Sequence, residues 1–279
     1  MPTDLVASLK IAGKIVVILQ SDYQLPETVL TRLLGADLSP ELSLDNWHKE
    51  PELIWSAVEL LRREFAIHQP RPVHYLLRKF KEEEKLHQVF SLDWGDLERH
   101  VGVPKDKIVK VYGNFDRVFC DSCCHLSSKS EYEHALEFRR GPLTCPEWEC
   151  RRNLMRPNLV LNGGRFTKDY LLKSVTCLSG ADLVLCFLEN PSRNQSELES
   201  LLTHCSRKCN IFCVATQNCL ANDRILWIQE RPDDLAQHLM QPEVVDEEDL
   251  MSHSLTEAEW LELSQTLHNA SEQCKCQLF

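Results

Sequence analysis

Two pairs of cysteines carry the plainest chemical signal in this chain of 279 residues: Cys120 and Cys123, then Cys145 and Cys150 after a 21-residue gap. Thiolates two to four residues apart can turn onto one ion, and two such knuckles close a tetrahedral four-sulfur zinc site. Four protein ligands leave no open position, so the metal would be structural. Structural zinc contributes about 10–16 kcal/mol of apparent binding energy to small modules, enough to hold a loop-rich stretch that has little core. Cys124 beside Cys123 leaves open which sulfur ligates, and His125 competes for the fourth place. The remaining mid-chain cysteines (Cys177, Cys186, Cys205, Cys209, Cys213, Cys219) fall in or beside expected strands and helices and need no metal. His68, His74, His87, His100, His204 and His253 form no dyad readable from spacing and read as surface or packing residues.

The elements around the cysteines have a regular rhythm. Residues 14–19 are a β-branched run that reads as a buried parallel strand. Helices are expected over 51–67 and from Pro72, a strand over 89–92, a short helix over 96–100 and an extended stretch over 107–112. Residues 117–157 lose periodicity and are broken by Pro142 and Pro146; a regular pattern resumes at 158–161. Apolar runs at 181–187, 210–214 and 224–228 then alternate with helical spacing at Leu198, Leu201, Leu202 and at Leu235, Leu239. Strands alternating with helices predict an α/β fold with a doubly wound parallel sheet. The expected organisation is one large domain from 1–116 and 158–242, an inserted small zinc-binding module at 117–157, and a tail at 243–279.

Charge narrows the partners. The formal net charge is −11, and residues 243–279 carry nine acidic side chains against Lys275 alone, which leaves the first 242 residues at −3. Neither part has the basic footprint of nucleic-acid binding. No apolar run is long enough to span a bilayer, and the first residues lack the pattern of a secretory signal, so a cytoplasmic or nuclear location is expected. In the tail, Ser254 and Glu257 have capping-box spacing ahead of Trp260, Leu263 and Leu267 on one face, a helix that either packs back or docks a protein partner. The terminal Cys276-Gln277-Leu278-Phe279 fits a prenylation signal, with Cys274 as a second acylation site, although the acidic flank opposes anionic lipid; membrane contact is expected only if Cys276 is prenylated.

Several stretches resemble the sirtuin family of NAD-dependent protein deacylases, in order and spacing over residues 5–242. Glu50-Pro51-Glu52-Leu53-Ile54-Trp55 with Arg62-Arg63-Glu64 is similar to the helix pair of the bacterial and mitochondrial branch. Pro72-Val73-His74-Tyr75-Leu76 resembles the "P-N-x-A-H" helix start, and Asp96-Leu97-Glu98-Arg99-His100-Val101-Gly102 the "G-L-E-R-x-A-G" phrase. The second cysteine pair with Arg156-Pro157-Asn158-Leu159-Val160, and Ala181-Asp182-Leu183-Val184-Leu185 later, also match that branch. The resemblance implies a Rossmann-like large domain, an inserted zinc ribbon and a cleft for NAD.

The same comparison puts unusual residues where the family does its chemistry. Its glycine-rich "G-A-G-I-S" turn reads Gln20, Ser21, Asp22, Tyr23, Gln24, with no glycine for close approach to pyrophosphate and a carboxylate toward it. The "P-D-F-R" segment has only Leu25-Pro26-Glu27-Thr28 as its nearest text. The "Q-N-I-D" positions read Leu92, Asp93, Trp94, Gly95. The catalytic histidine is Tyr112, a phenol of ordinary pKa near ~10 that cannot act as base at neutral pH. "F-G-E" reads Asn162-Gly163-Gly164, "G-T-S" reads Leu188, Glu189, Asn190, and the acyl-selecting Tyr and Arg fall on Val58 and Leu61. These departures lead to the expectation of a sirtuin-like pseudoenzyme that keeps structural zinc, lacks NAD and works as an interaction or regulatory subunit. The alternatives are an active deacylase of unorthodox site chemistry and a nucleotide sensor without turnover.

Overall fold

The computed structural model describes residues 3–20, 26–35, 41–128, 130–133, 142–150, 153–166, 168–190, 192, 195–218 and 222–240. Ser21, Asp22, Tyr23, Gln24, Leu25, Cys219, Cys274, Cys276 and the acidic tail with its expected helix lie outside the described residues. In chain order the elements are α1 (Thr3–Ile11), β1 (Ile15–Gln20), α2 (Pro26–Leu34), α3 (Leu44–Lys49), α4 (Pro51–Ala66), α5 (Pro72–Glu82), β2 (Leu86–Ser91) and α6 (Leu97–His100). They continue with β3 (Ile108–Lys110), β4 (Gly113–Cys120), β5 (Met155–Leu159), α7 (Lys168–Ser179), β6 (Leu183–Leu188), α8 (Gln195–Thr203), β7 (Asn210–Val214), β8 (Ile225–Ile228) and α9 (Pro232–Met240).

The described chain divides into two compact units: Met1–Tyr23, Pro70–Gly113 and Phe166–Val244 make the first, and Gln24–Gln69 with Asn114–Arg165 the second. Residues 24–69, grouped with the sheet in the sequence reading, thus cluster with the cysteine-rich segment.

The first unit is built on a six-stranded sheet of order β3-β2-β1-β6-β7-β8 whose named pairs are all parallel. Every residue of β1 (IVVILQ) and β6 (LVLCFL) is buried, which requires cover on both faces and explains why these strands are continuous apolar runs rather than alternating ones. Val16 and Ile18 share their face with Val184, Cys186 and Leu188 and pack on Leu178 of α7 and Leu198, Leu201 and Leu202 of α8. α5 packs against β2 and α9. The chain winds outward from β1 through β2 and β3, then returns beside β1 as β6 and winds the other way. This places a topological switch point at the carboxyl ends of β1 and β6, where Gln20 and Leu188 lie side by side.

In the second unit Pro51 opens α4 at a position whose amide would be unbonded in any case, and Ile54, Trp55, Val58, Leu61 and Phe65 recur at helical spacing on its buried face. Ser43 caps α3 by accepting from Asn46 N–H at 3.2 Å. β4 and β5 form a separate two-stranded sheet. The run expected to return to the large sheet at residue 158 therefore belongs to this small sheet instead.

Candidate functional site

The carboxyl edge of the large sheet gathers most of the residues that the resemblance singled out. Gln20 ends β1, Ser91 ends β2 with Leu92 and Asp93 just beyond, Tyr112 follows β3, and Glu189 and Asn190 follow β6. The first contact across this edge is internal. Asn190 N–H donates to Gln20 Oε1 at 3.0 Å, and the Gln20 side chain is buried at the switch point. Leu92 and Leu188 belong to the apolar core of this unit, so both are committed to packing.

Glu189 is held by Arg71, the residue before the Pro72 that opens α5, and Arg71 also binds Asp233 in the first turn of α9, its Nε donating to Oδ2 at 2.7 Å. Asp233 Oδ1 accepts in turn from Val73 N–H at 3.3 Å, so one carboxylate holds both the guanidinium and the α5 N-terminus. Burial works against the Arg71 charge, but Asp233 and Glu189 outweigh it and raise its pKa. One cation facing two carboxylates makes this a net negative cluster.

Beneath it lies a second polar group that spacing did not reveal. Lys110 Nζ donates to Glu98 Oε2 at 2.6 Å and to Ser91 Oγ at 3.0 Å, with both charged side chains under 10% exposed. Burial opposes the Glu98 carboxylate, yet Lys110 and His74 hold its pKa below the usual value. His74, read from sequence as a packing residue, is 1% exposed and accepts from Arg71 N–H through Nδ1 at 3.0 Å. Burial first of all drives its pKa down to about 4, so the imidazole is neutral.

Tyr112 is half-buried and packed on the core; its ring lies 6.1 Å from Phe166, which is 4.9 Å from Tyr170, itself edge-on to Phe90 at 6.5 Å. Gly113 keeps the turn after it, with φ of 79°. Asp93 and Gly95 are buried, and Trp94 is half-buried. In the second unit, Val58 and Leu61 are fully buried in α4, and Asn162 is tied to the α3 entry by Asn162 N–H to Leu42 O and Leu44 N–H to Asn162 O.

The cysteine cluster of the second unit assembles as the spacing predicts. The sulfurs of Cys120, Cys123, Cys145 and Cys150 all lie within 4.8 Å of one another, with Cys120 to Cys150 at 3.1 Å and Cys123 to Cys145 at 3.5 Å. A tetrahedron with Zn–S of about 2.3 Å has sulfurs about 3.8 Å apart, so these residues fit a zinc ion. They could hold it by four thiolates, as a structural centre. Cys124 takes a left-handed turn (φ 61°), bonds Cys120 O through its N–H and stays outside the cluster. His125 meets Glu147 at 2.8 Å instead of the sulfurs. Burial opposes ionisation of Cys120, but the Cys123 N–H, the Cys150 thiol and the Ser122 N–H pull its pKa down to about 7. The cluster sits on Trp55 of α4, with Val118, Tyr132 and Met155 around it, and Tyr132 donates to Glu59 at 2.8 Å. Arg156 chelates both oxygens of Asp121 at 2.8 and 2.9 Å and lies 4.0 Å over the Phe119 ring.

A doubly wound parallel sheet in one unit and a cluster of four cysteines in the other define an α/β class with a candidate metal centre. Within that class the family is plain: the model of the Sir2 family matches residues 37–188, more than half of the chain, and the protein belongs to that family. It is similar to an NAD-dependent protein deacylase of Thermococcus kodakarensis, 28% identical over 137 residues that cover 49% of this chain and 52% of the relative. It is also similar to the NAD-dependent deacetylase sir2B of Dictyostelium discoideum, 30% identical over 114 residues covering 40% of this chain and 14% of that protein. The chain thus spans about half or less of the length of these curated relatives. Among solved structures, a sirtuin studied for substrate affinity superposes with a TM-score of 0.68 at 17% identity, over 88% of this chain and all of its own (100%). A Sir2 histidine-to-tyrosine mutant in complex with a peptide and NAD gives 0.62 at 18%, over 86% and 97%.

Proposed function

We propose that this Sir2-family chain is a pseudoenzyme: a protein-interaction or regulatory subunit that keeps a structural zinc site and does not deacylate. The observation that carries the reading is the bond from Asn190 N–H to Gln20 Oε1. Backbone donors at the switch point are the groups a dinucleotide uses in doubly wound folds, and here the Asn190 N–H, two residues past β6, is engaged by a buried side chain. The neighbouring charge supports the same reading. Arg71 is neutralised by Glu189 and Asp233, so the edge offers phosphates excess carboxylate. Two like charges about 4 Å apart repel by roughly 1 kcal/mol in water and about 4 kcal/mol near a protein surface. The residues present therefore do not suit NAD. Partner contact is assigned to residues 243–279, whose acidity suits a basic protein surface.

The Tyr112 position carries less weight. One similar structure is a Sir2 protein with a histidine exchanged for tyrosine that holds NAD, which favours a second reading, a nucleotide sensor without turnover. Isothermal calorimetry with NAD, run beside an acyl-lysine turnover assay on the full chain, separates the readings. Neither heat nor product is expected, and restoring the turn by Gln20→Gly with Glu189→Ser is expected to raise NAD affinity. Binding without turnover would support the sensor. Nicotinamide release by the unaltered chain would end the pseudoenzyme reading.

A further inference from the structure

We infer that the outward face of α7 is the docking site for this chain's own acidic segment at 254–267, an intramolecular contact. α7 has two unlike sides. Tyr170, Ser174 and Leu178 are buried, and Tyr170 and Leu178 belong to the apolar core. Leu171, Leu172 and Val175 stand on the other side, 54%, 66% and 49% exposed. Their spacing, i, i+1 and i+4, joins them into one patch. No other described element leaves more than one large apolar side chain so open. A contiguous apolar patch of this kind marks a contact surface, whereas scattered single residues do not.

The border of the patch is basic. Lys173, on α7 itself, donates to the Asp106 carbonyl at 3.1 Å and so holds the turn Lys105–Lys107 beside the helix. Lys105, Lys107 and Lys173 bring three positive charges against the one carboxylate of Asp106, +2 in all. The complementary occupant is an acidic helix with an apolar face. This chain encodes one at 254–267, where Trp260, Leu263 and Leu267 share a face. At about 100° per residue, Glu257 and Glu259 fall on the two flanks of that face, placed to meet lysines beside an apolar patch. Trp260 supplies the aromatic anchor that contacts of this kind rely on.

The tether is long enough. α9 ends at Met240, and residues 241–253 then extend over up to about 43 Å. α9 packs with α5 and α5 with β2, while α7 packs with β3, the strand next to β2. The path therefore rounds one sheet edge, where strands lie about 4.8 Å apart, to a helix about 18 Å long. Such a tether holds its end at roughly millimolar concentration, so a contact too weak to form between separate molecules is filled. The contact holds whether or not the chain deacylates, and a partner's basic surface would have to displace the segment from α7.

The test is zero-length carbodiimide crosslinking of the full chain, followed by proteolysis and mass spectrometry of the joined peptides. The expected product links Lys173, Lys105 or Lys107 to Glu257 or Glu259 within one chain, at a yield that does not change on dilution. Leu172→Glu, at a position exposed enough to spare the fold, should lower that yield several-fold, and so should Trp260→Ala. Leu226→Glu, which puts the same charge on an exposed leucine of β8, should leave it unchanged. Links confined to dimers and lost on dilution would give the face to a second copy and overturn the intramolecular contact. Tail carboxylates joined evenly to lysines over the whole surface, or a yield that Leu172→Glu or Trp260→Ala does not move, would overturn the docking site.

Discussion

His74 shows how one side chain can tie fold to pH. Its imidazole is sealed under the α5 N-terminus, accepting from Arg71 N–H, and its pKa falls to about 4 from 6.5. Between those two values the unfolded chain binds a proton that the folded chain refuses, so stability rises with pH across that window. The contribution is complete above pH 6.5 and is lost as pH falls toward 4. Its size is about 3 kcal/mol, at 1.36 kcal/mol per pKa unit. Glu98 acts lower: its folded pKa lies below 4.5, so its contribution is present above that value and is lost only below it. Urea denaturation of the unaltered chain from pH 7 to pH 4.5 should therefore show falling stability. His74→Asn, which retains an acceptor for Arg71, should remove most of that slope. An unchanged slope in His74→Asn would assign the effect elsewhere. None of this was legible in the sequence, where His74 stood as one of eleven histidines; its burial depends on Glu98 and Lys110, brought beside it from separate elements.

At the scale of elements, α5 and α9 depend on one carboxylate. Asp233 stands in the first turn of α9 and caps Val73 N–H of α5 while holding Arg71. Asp233→Ala should thus cost about 2 kcal/mol, more than a helix cap alone, because Arg71 also loses a partner. Chemical denaturation measures it, and hydrogen exchange should show the loss concentrated in the first turn of α5. A cost below about 0.5 kcal/mol would mean that Glu189 alone suffices for Arg71. The elements themselves were largely legible. The runs ending at Gln20, Leu188 and Val214 are apolar at every interior position, as only a strand covered on both faces requires, and Pro51 and Pro72 mark two helix starts outright. The partner of β5 was not. The run at 158–161 has the apolar look of a resuming central strand, and only the tertiary neighbourhood of Val118 and Trp55 assigns Met155–Leu159 to the small sheet. The clustering of the four cysteines was legible because short spacings turn sulfurs toward one point, whereas Gln20 as a plug and Arg71 as a clamp carry no local signature.

Across the whole molecule the two units rest on different sources of stability. The first has a sheet buried on both faces and a large apolar core. Around its sulfurs the second has a small cluster of Trp55, Val118, Tyr132 and Met155, and many of the described residues between β4 and β5 are loop. Burial of a few side chains at about 1.5–3 kcal/mol each is little against the backbone entropy of such a stretch, at roughly 1–2 kcal/mol per residue. A metal ion held by four thiolates would make up the difference. The purified chain should then carry one zinc per molecule, released by chelator at low pH, where protons compete for the sulfurs. Removing the ion should open amides over β4 and β5 to hydrogen exchange while β1 and β6 stay protected, since none of the four ligands lies in the first unit. Cys120→Ser or Cys145→Ser should reproduce that pattern without chelator, and Cys124→Ser should not, because Cys124 is not one of the four clustered sulfurs. Full metal content in Cys145→Ser would refute the ligand set; unaltered exchange in metal-free protein would show that the small core suffices unaided.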